Sequence, residues 1–394
     1  MKVCIATLFG MHRGTGGIQA HPRWLMQYLK EQGIDYVYIS PYDYSAVLVY
    51  PVFAARVLLK NFSRFLSAYW FRKWHYYFLK KALIRLFSRR HFDVVNAQGP
   101  LAALAALEVR QRYGQRYQVV LTVHMNWPSQ AEEEALAGNI RRGGRYYKEI
   151  KKMEKEVFLT VDKIAVVSNY MKAALLREYP GLNGGLIEVI YNGIASDFAS
   201  GARLPESDRE AGNFRLINVG ALSWRKNQQF LLWVMLELIK NFPGLQLELV
   251  GNGDCRSALG RLASSLGVRE NIVFRGYQPD VRPYLRRSQV YLHSSLGESC
   301  PYVLIEAMSF GLPVIAFSVG GTPELIKHGF NGFLAEDKNV ETYARYVETL
   351  LLDQAKYAAM RANCLKMFQE KFDYRLMGEN FVEFYKREIP DKKI

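Results

Sequence analysis

The 394-residue sequence predicts an α/β protein built from two doubly wound, Rossmann-like domains facing across a cleft. Three observations predict it. Short β-rich runs recur that are apolar without strict alternation, and segments of helical periodicity separate them, the pattern of parallel strands covered on both faces. The alternation occurs twice, on either side of a polar stretch, Ser196 to Asn213, that has no periodic apolar face. The length also exceeds what a single hydrophobic core ordinarily organises.

In the first domain, residues 1–195, the strand signals are Lys2 to Phe9, Tyr36 to Ser40, Asp93 to Gln98, Val119 to His124, Lys163 to Ser168 and Ile187 to Gly193. The first strand runs into GMHRGTGG and then into the helical pattern IQAHPRWLMQYLKEQG. Tyr146 to Leu159 and Asn169 to Glu178 also have helical spacing. Residues 196–213 form the expected linker. In the second domain, residues 214–394, strands are expected at Phe214 to Leu222, Leu245 to Gly253, Asn271 to Tyr277, Gln289 to Ser295 and Pro313 to Ser318. Helices at Asn227 to Asn241 and Arg256 to Leu266 connect them, and from about Asn339 the chain is mainly helical, with its final helices expected to pack back on the first domain. In such sheets ligands bind beyond the carboxyl ends of the strands. The cleft between the domains is the default site.

With 49% hydrophobic and 23% charged residues the composition is that of a folded protein. The net charge of +15 points to anionic partners: phosphorylated small molecules, acidic lipids or nucleic acid. Cys4, Cys255, Cys300 and Cys364 lie far apart, so neither a zinc site nor a disulfide framework is expected, and a reducing cytoplasm fits. No signal peptide is read at the N-terminus. No transmembrane helix is expected either, since even the apolar run Val47 to Leu59 contains Pro51 and Arg56.

From Tyr44 to Phe92 there is no acidic residue. Arg56, Lys60 and Arg64 recur there at helical spacing, and Lys73 and further cations alternate with aromatics that include Trp70 and Trp74. One reading of residues 56–90 is a basic amphipathic helix in an anionic membrane interface, touching membrane or acceptor. The other is one or two surface helices packed on the sheet. Nucleic acid ranks below both, because no binding motif accompanies the charge.

The chemistry gathers in GESCPYVLIEAMSFGLPVIAFSVGGTPE, Gly297 to Glu324. Pro301 favours a helix starting beside it, which leaves Glu298 on the preceding loop and puts Glu306 inside the helix. The residues at the helix start, Ser299, Cys300, Pro301, Tyr302 and Val303, place backbone N–H groups, all but that of the proline, where they can meet ligand oxygens. This stretch resembles the retaining glycosyltransferases of family 4, which have the GT-B fold. Glu298 and Glu306 match their E-x7-E element, and A-M-x-x-G-x-P-V-I-A and G-G-x-x-E-x-I stand intact around it. The resemblance runs upstream through VGALSWRKNQQFLL, LELVGNGD and NIVFRGY. In the first domain it is weaker, in GTGGIQAHPRWLMQYL, LTVH, VVSNYMK and VIYNGI.

The resemblance implies that Glu306 hydrogen-bonds the donor ribose and that Glu298 contacts hydroxyls of the transferred sugar. A carboxylate suits a diol because it accepts two charge-assisted hydrogen bonds. Lys226 and Arg225 would meet the donor diphosphate and offset its growing charge. The family often has Gly-Arg after this strand, where Gly220-Ala221 stands here. Gly16 and Gly17 match the family's glycine pair, whose bare backbone admits a phosphate or sugar. His124 matches a histidine that approaches the donor sugar, although Met125 and Asn126 replace the usual acidic neighbour. Gly276 and Tyr277 fall beside the expected base pocket, and Asn192 and Gly193 match a structural N-G turn. Cys300 has no histidine neighbour in sequence and is not expected to be a nucleophile.

The expectation is therefore a retaining, metal-independent glycosyltransferase with no cofactor, using a nucleotide-diphosphate sugar as donor and a saccharide or lipid-linked acceptor in bacterial envelope or exopolysaccharide assembly. It would lie in the cytoplasm, peripheral at the inner face of the cell membrane. The competing expectations are a GT-B sugar phosphorylase or nucleotide-sugar epimerase, and a non-catalytic, membrane-associated interaction protein.

Overall fold

Strand β1 (Lys2–Ala6) is buried at every position after its first residue, as an apolar run without alternation requires of a strand covered on both faces. The computed structural model that contains it describes residues 1–11, 17–196, 214–336 and 338–388. The chain forms two units, Met1–Tyr191 with Met377–Ile394, and Asn192–Leu376. The expected linker lies, apart from its first residue, outside the described residues.

In the first unit β1 is joined by β2 (Asp35–Ile39), β3 (Val94–Gln98), β4 (Gln118–Val123), β5 (Lys163–Val166) and β6 (Ile187–Val189). The sheet order is β2-β1-β3-β4-β5-β6, and each neighbouring pair is parallel. The chain leaves β1 first toward β2 and then toward β3, so its strand order reverses between β1 and β3. On one face Val3, Ile5, Val94 and Val120 pack with Leu25 and Leu29 of helix α1 (Gly17–Glu31) and with Met377, Phe381 and Tyr385 near the chain end. Lys163 fixes the helix Tyr374–Lys386 that carries these three residues: its ammonium, almost wholly buried, donates to the carbonyls of Phe384 at 2.8 Å and Tyr385 at 3.1 Å. A cation at a helix C-terminus satisfies carbonyls that lack intrahelical partners.

The Tyr44–Phe92 segment is a pair of helices, α2 (Ala46–Phe62) and α3 (Arg64–Phe87). Here the sequence expectation of continuous helical spacing through Arg56, Lys60 and Arg64 needs correction. The chain breaks at Ser63, which has extended backbone and whose hydroxyl accepts from the Leu66 N–H, so Arg64 opens a second helix. Helix α3 buries Phe78, Leu79, Leu83 and Phe87 in the core beside α4 (Pro100–Tyr113), whereas α2 buries only Val49. Packing on the core is thus the position of α3. Pro51 is accommodated inside α2. No helix among the described residues is long and apolar enough to cross a membrane.

The second unit repeats the plan with β7 (Arg215–Val219), β8 (Gln246–Val250), β9 (Ile272–Gly276), β10 (Val290–His293), β11 (Val314–Phe317) and β12 (Gly332–Ala335). Their order is β12-β11-β10-β7-β8-β9, again parallel throughout. The chain moves outward from β7 to β9, returns to the other side of β7 as β10, and continues to β12. The reversal therefore falls between β7 and β10, the place beyond the carboxyl ends of the strands where sheets of this kind bind ligands.

Candidate active site

The reversal in the second unit receives the loop after β7, residues 220–227, and the loop after β10, residues 294–301. These loops are locked together. The Leu296 N–H donates to the Arg225 carbonyl at 2.9 Å, and Ser294 Oγ donates to the Lys226 carbonyl at 2.8 Å. At the meeting point Lys226 Nζ is 2.5 Å and Arg225 Nη1 2.9 Å from the same oxygen of Glu298, and Arg225 also donates to the Gly297 carbonyl at 3.2 Å. Helix α11 (Tyr302–Ser309) begins just after, with Pro301 as N-cap, so Glu298 is on the loop and Glu306 in the helix.

The two glutamates sit in opposite electrostatic surroundings. Burial would raise the carboxyl of Glu298, but Lys226 and Arg225 outweigh burial and hold it down to about 2. Glu306 is partly buried, and burial pushes its carboxyl up to about 7. His293, at the end of β10, lies 4.0 Å from Glu298. Burial first, and then the Lys226 charge, push its imidazole down to about 3, so it is neutral near pH 7.

Two glycines set the approach of the surrounding loops. Gly320 has φ of +57°, and a side chain there would start 2.0 Å from the Glu298 carbonyl oxygen, which already accepts from the Gly321 N–H at 2.9 Å. Gly251 is as crowded, against the Gly220 carbonyl at 2.0 Å. Gly220 itself lies beside the Lys226 stem. Asn192 donates to the Cys300 carbonyl at 2.8 Å and so ties the N-G turn to the Glu298 loop.

Of the remaining expected residues in this unit, Ser299, Cys300, Pro301 and Tyr302 are buried, Val303 is partly buried, and Tyr277 is exposed beyond β9. Burial pushes the Cys300 thiol up to about 12, which leaves no thiolate near neutral pH. His293, Ser295, Tyr302 and Thr322 are buried, yet no hydrogen-bond partner among the described residues meets their polar side-chain atoms. His293 closes β10 and Ser295 follows it, Tyr302 opens α11, and Thr322 follows the turn after β11. His293 escaped the sequence reading because a histidine closing a buried strand looks like core. Its place at the carboxyl end of a parallel strand, where such sheets present ligands, could have found it. Behind the Arg225–Lys226 loop is a pocket of about 300 Å³ lined by Ser223, Trp224, Asn227, Cys255, Leu259 and Leu296, among others.

In the first unit His124 follows β4, with Nε2 2.7 Å from Gln98 Oε1 at the end of β3. Its ring meets that of His21, from α1, at 4.5 Å between centroids. Burial, and then His21, hold His124 well below the usual histidine range, so it is neutral. The polar chain continues inward: Gln98 donates to Asn96 at 2.9 Å and Thr122 donates to the same oxygen at 2.7 Å. Gln98 and His21 join His124 without having been singled out in the sequence. Gly17 is the first residue of α1, and Gly16 lies outside the described residues. Arg56, Lys60, Arg64 and Lys73 are exposed, and Trp70 and Trp74 are partly buried. A shallow pocket of about 200 Å³ opens among α3, α4 and α6 (Arg145–Thr160), with Tyr69, Arg72, Lys73, Leu101 and Tyr146 in its lining.

Two parallel six-stranded sheets, each with one reversal of strand order, define an α/β architecture of the GT-B type. The model of Glycosyltransferase Family 4 matches residues 15–198, and that of Glycosyl transferases group 1 matches residues 204–367. The chain belongs to this glycosyltransferase family. Over 149 residues it is 35% identical to an uncharacterized glycosyltransferase of Haemophilus influenzae, covering 38% of this chain and 42% of that protein. Over 121 residues it is 32% identical to the lipopolysaccharide core biosynthesis glycosyltransferase LpsE of Rhizobium meliloti, covering 31% and 36%. The matches therefore span less than half the length of these curated relatives. Among solved structures, HepE of Anabaena in complex with UDP aligns over 97% of this chain and 99% of its own, with a TM-score of 0.72 and 18% identity. HepE in complex with UDP-glucose aligns over 97% and 98%, with a TM-score of 0.70 and 19% identity.

Proposed function

We propose that this protein transfers a sugar from a nucleotide-diphosphate sugar to a saccharide or lipid-linked acceptor, with retention at the anomeric carbon and without a metal or cofactor. The observation that carries the reading is the meeting of Arg225, Lys226 and Glu298 where the strand order of the second unit reverses. Two cations share one carboxylate, so a unit of positive charge is left over there, which suits a diphosphate. The unmet polar atoms of His293, Ser295, Tyr302 and Thr322 favour a ligand rich in oxygen, because buried groups of this kind cost free energy until they are paired. A uridine nucleotide is the first donor to test, given the bound states of HepE.

In this reading Glu306 accepts from the ribose hydroxyls and Glu298 from hydroxyls of the transferred sugar. Gly16 and Gly17 let the backbone approach the donor or acceptor, the start of α11 offers further N–H groups, and Gly220 and Tyr277 border the nucleotide. His124, neutral and fixed by Gln98, positions a sugar hydroxyl rather than moving a proton. The bond between the anomeric carbon and the diphosphate oxygen breaks, and the acceptor oxygen bonds to the same carbon on the same face. The acceptor proton passes to a phosphate oxygen of the departing diphosphate. Lys226 and Arg225 stabilise the charge that develops there.

The acceptor is assigned to the first unit and to envelope or exopolysaccharide assembly, in keeping with LpsE as a glycosyltransferase of lipopolysaccharide core biosynthesis. The protein is assigned to the cytoplasm, peripheral at an anionic membrane face, on its charge of +15 and the acid-free stretch from Tyr44 to Phe92. The test is a panel of UDP-, GDP-, ADP- and TDP-sugars scored by thermal shift and slow donor hydrolysis, with Glu306→Ala alongside. One class of donor should stabilise the wild type and lose most of its effect in the variant. If no nucleotide sugar stabilises the wild type, the donor assignment is wrong.

A further inference from the structure

We propose that the outward face of α2 is a membrane-inserting surface, which lies in the plane of an anionic bilayer with its apolar side chains below the headgroups. The inference rests on the peripheral-membrane reading above and adds to it the element that enters the lipid and a non-electrostatic source of affinity.

An amphipathic helix on a protein surface ordinarily turns its apolar stripe inward. Helix α2 turns Val49 and Phe53 inward, Phe53 stacking on His75 of α3 at 3.8 Å, and presents a second apolar stripe to the outside. Val47, Pro51, Ala54, Leu58 and Phe62 follow one another at helical spacing and are all exposed. Val47 is 82% exposed, Leu58 64% and Phe62 85%, and Val57, on the flank of the stripe, 67%. Scattered apolar residues on a surface need no explanation, but a continuous stripe along a helix about 25 Å long does. The two cations of α2 are not on that stripe. Arg56 lies on the opposite side of the helix, with its guanidinium 4.4 Å from the centre of the Phe71 ring of α3, and Lys60 is one turn on from it. The helix is held from behind, since the Trp70 indole N–H of α3 donates to the Val52 carbonyl at 2.7 Å.

The charge around the stripe selects its occupant. No acidic residue occurs between Tyr44 and Phe92, whereas Lys60, Arg64 and Lys73 are exposed there. A second copy of the chain would bring two such acid-free, cation-rich segments together, and two copies at +15 repel. An anionic bilayer meets both demands at once, with acyl chains for the stripe and headgroups for the cations of the segment.

The experiment is sedimentation of the full-length protein with vesicles of phosphatidylcholine alone and with about 30 mol% phosphatidylglycerol. Binding is read at low salt and at about 0.5 M NaCl, where electrostatic attraction is largely screened. Wild type should bind the anionic vesicles and keep a salt-resistant fraction. The exposed triple variant Val47→Ser, Leu58→Ser, Phe62→Ser should bind at least tenfold more weakly and lose that fraction, with its melting temperature unchanged. A fluorophore on Leu58→Cys should shift to the blue on anionic vesicles, against a background measured on the unsubstituted chain. Wild type that binds but is fully released by salt, with the triple variant indistinguishable from it, overturns insertion and leaves peripheral binding standing. Wild type that fails to bind even at low salt overturns both. A dimer in solution that the triple variant abolishes, with vesicle binding unaffected, assigns the stripe to a second copy and also overturns the proposal. Donor binding in the thermal-shift panel is independent of every one of these outcomes.

Discussion

Lys226 Nζ lies 2.5 Å from Glu298 Oε1, across an ion pair that joins residues 72 positions apart at the reversal of the second sheet. Arg225 reaches the same oxygen at 2.9 Å, so one carboxylate orients two cations. If these cations stabilise a departing diphosphate, Lys226→Met should lower kcat/KM by about 100-fold or more, the usual scale for removing a preorganised charge. Steady-state kinetics with the donor that the thermal-shift panel selects checks it. A change confined to KM would mean that Lys226 binds donor and transition state alike.

The same pair predicts a pH dependence of stability. The folded Glu298 carboxyl, held down to about 2, lies below its ordinary value of 4.5. A depressed carboxyl contributes stability that is present above the unfolded value and is lost as pH falls through the folded one. Wild type should exceed Glu298→Gln by on the order of 2–3 kcal/mol above pH ~5. That difference should close toward pH ~2. Denaturant unfolding of both proteins at a series of pH values measures it, and a constant gap across the range would mean that the ion pair contributes nothing.

Much of this was legible beforehand because burial on both faces leaves a strand no reason to alternate. The runs VCIA and VIAF read as strands and are strands. Glu298 and Glu306 were singled out by the family resemblance of the stretch around them, since their spacing alone is too common to carry a function, and Pro301 correctly put one on a loop and the other in a helix. Partners that the fold supplies from a distance were not legible, such as Gln98 for His124 or Arg225 for Glu298. The direction in which a periodic face points was also hidden. Residues 47–62 show where apolar side chains align, but not that Ser63 breaks the helix or that the stripe faces outward.

Glu306 should behave in the opposite sense to Glu298. Its folded carboxyl, raised by burial to about 7, prefers the proton, so ionising it costs stability. That cost is absent below about 4.5, grows as pH rises, and is complete above about 7. Glu306→Gln should therefore melt about 2–4 °C above wild type at pH 8 and together with it at pH 4. For the donor the sign reverses, because only the carboxylate can accept from both hydroxyls of a diol. The ionised fraction of a group titrating near 7 falls about tenfold from pH 8 to pH 6, and donor affinity should fall with it. The diphosphodiester of such a donor does not titrate in that range. Isothermal titration at both pH values checks this, and a slope that persists in Glu306→Gln would assign the titration to another group.

Gly320 tests whether the glycine-rich turn is needed for its shape. Its φ of +57° is unfavourable for any residue with a side chain, and a β-carbon would start 2.0 Å from the Glu298 carbonyl oxygen. Since that atom is backbone, the clash is relieved only by moving the loop that carries Glu298. Gly320→Ala should therefore lose roughly 2–4 kcal/mol of stability. It should also lose donor affinity, because Glu298 shifts relative to Lys226 and Arg225. Gly244→Ala is the matched control, since nothing lies within 4 Å of a β-carbon there and its φ is not in the left-handed region. Unfolding curves and donor titrations on both variants separate the cases. If Gly320→Ala is as benign as Gly244→Ala in both measurements, the turn is not what fixes the Glu298 loop.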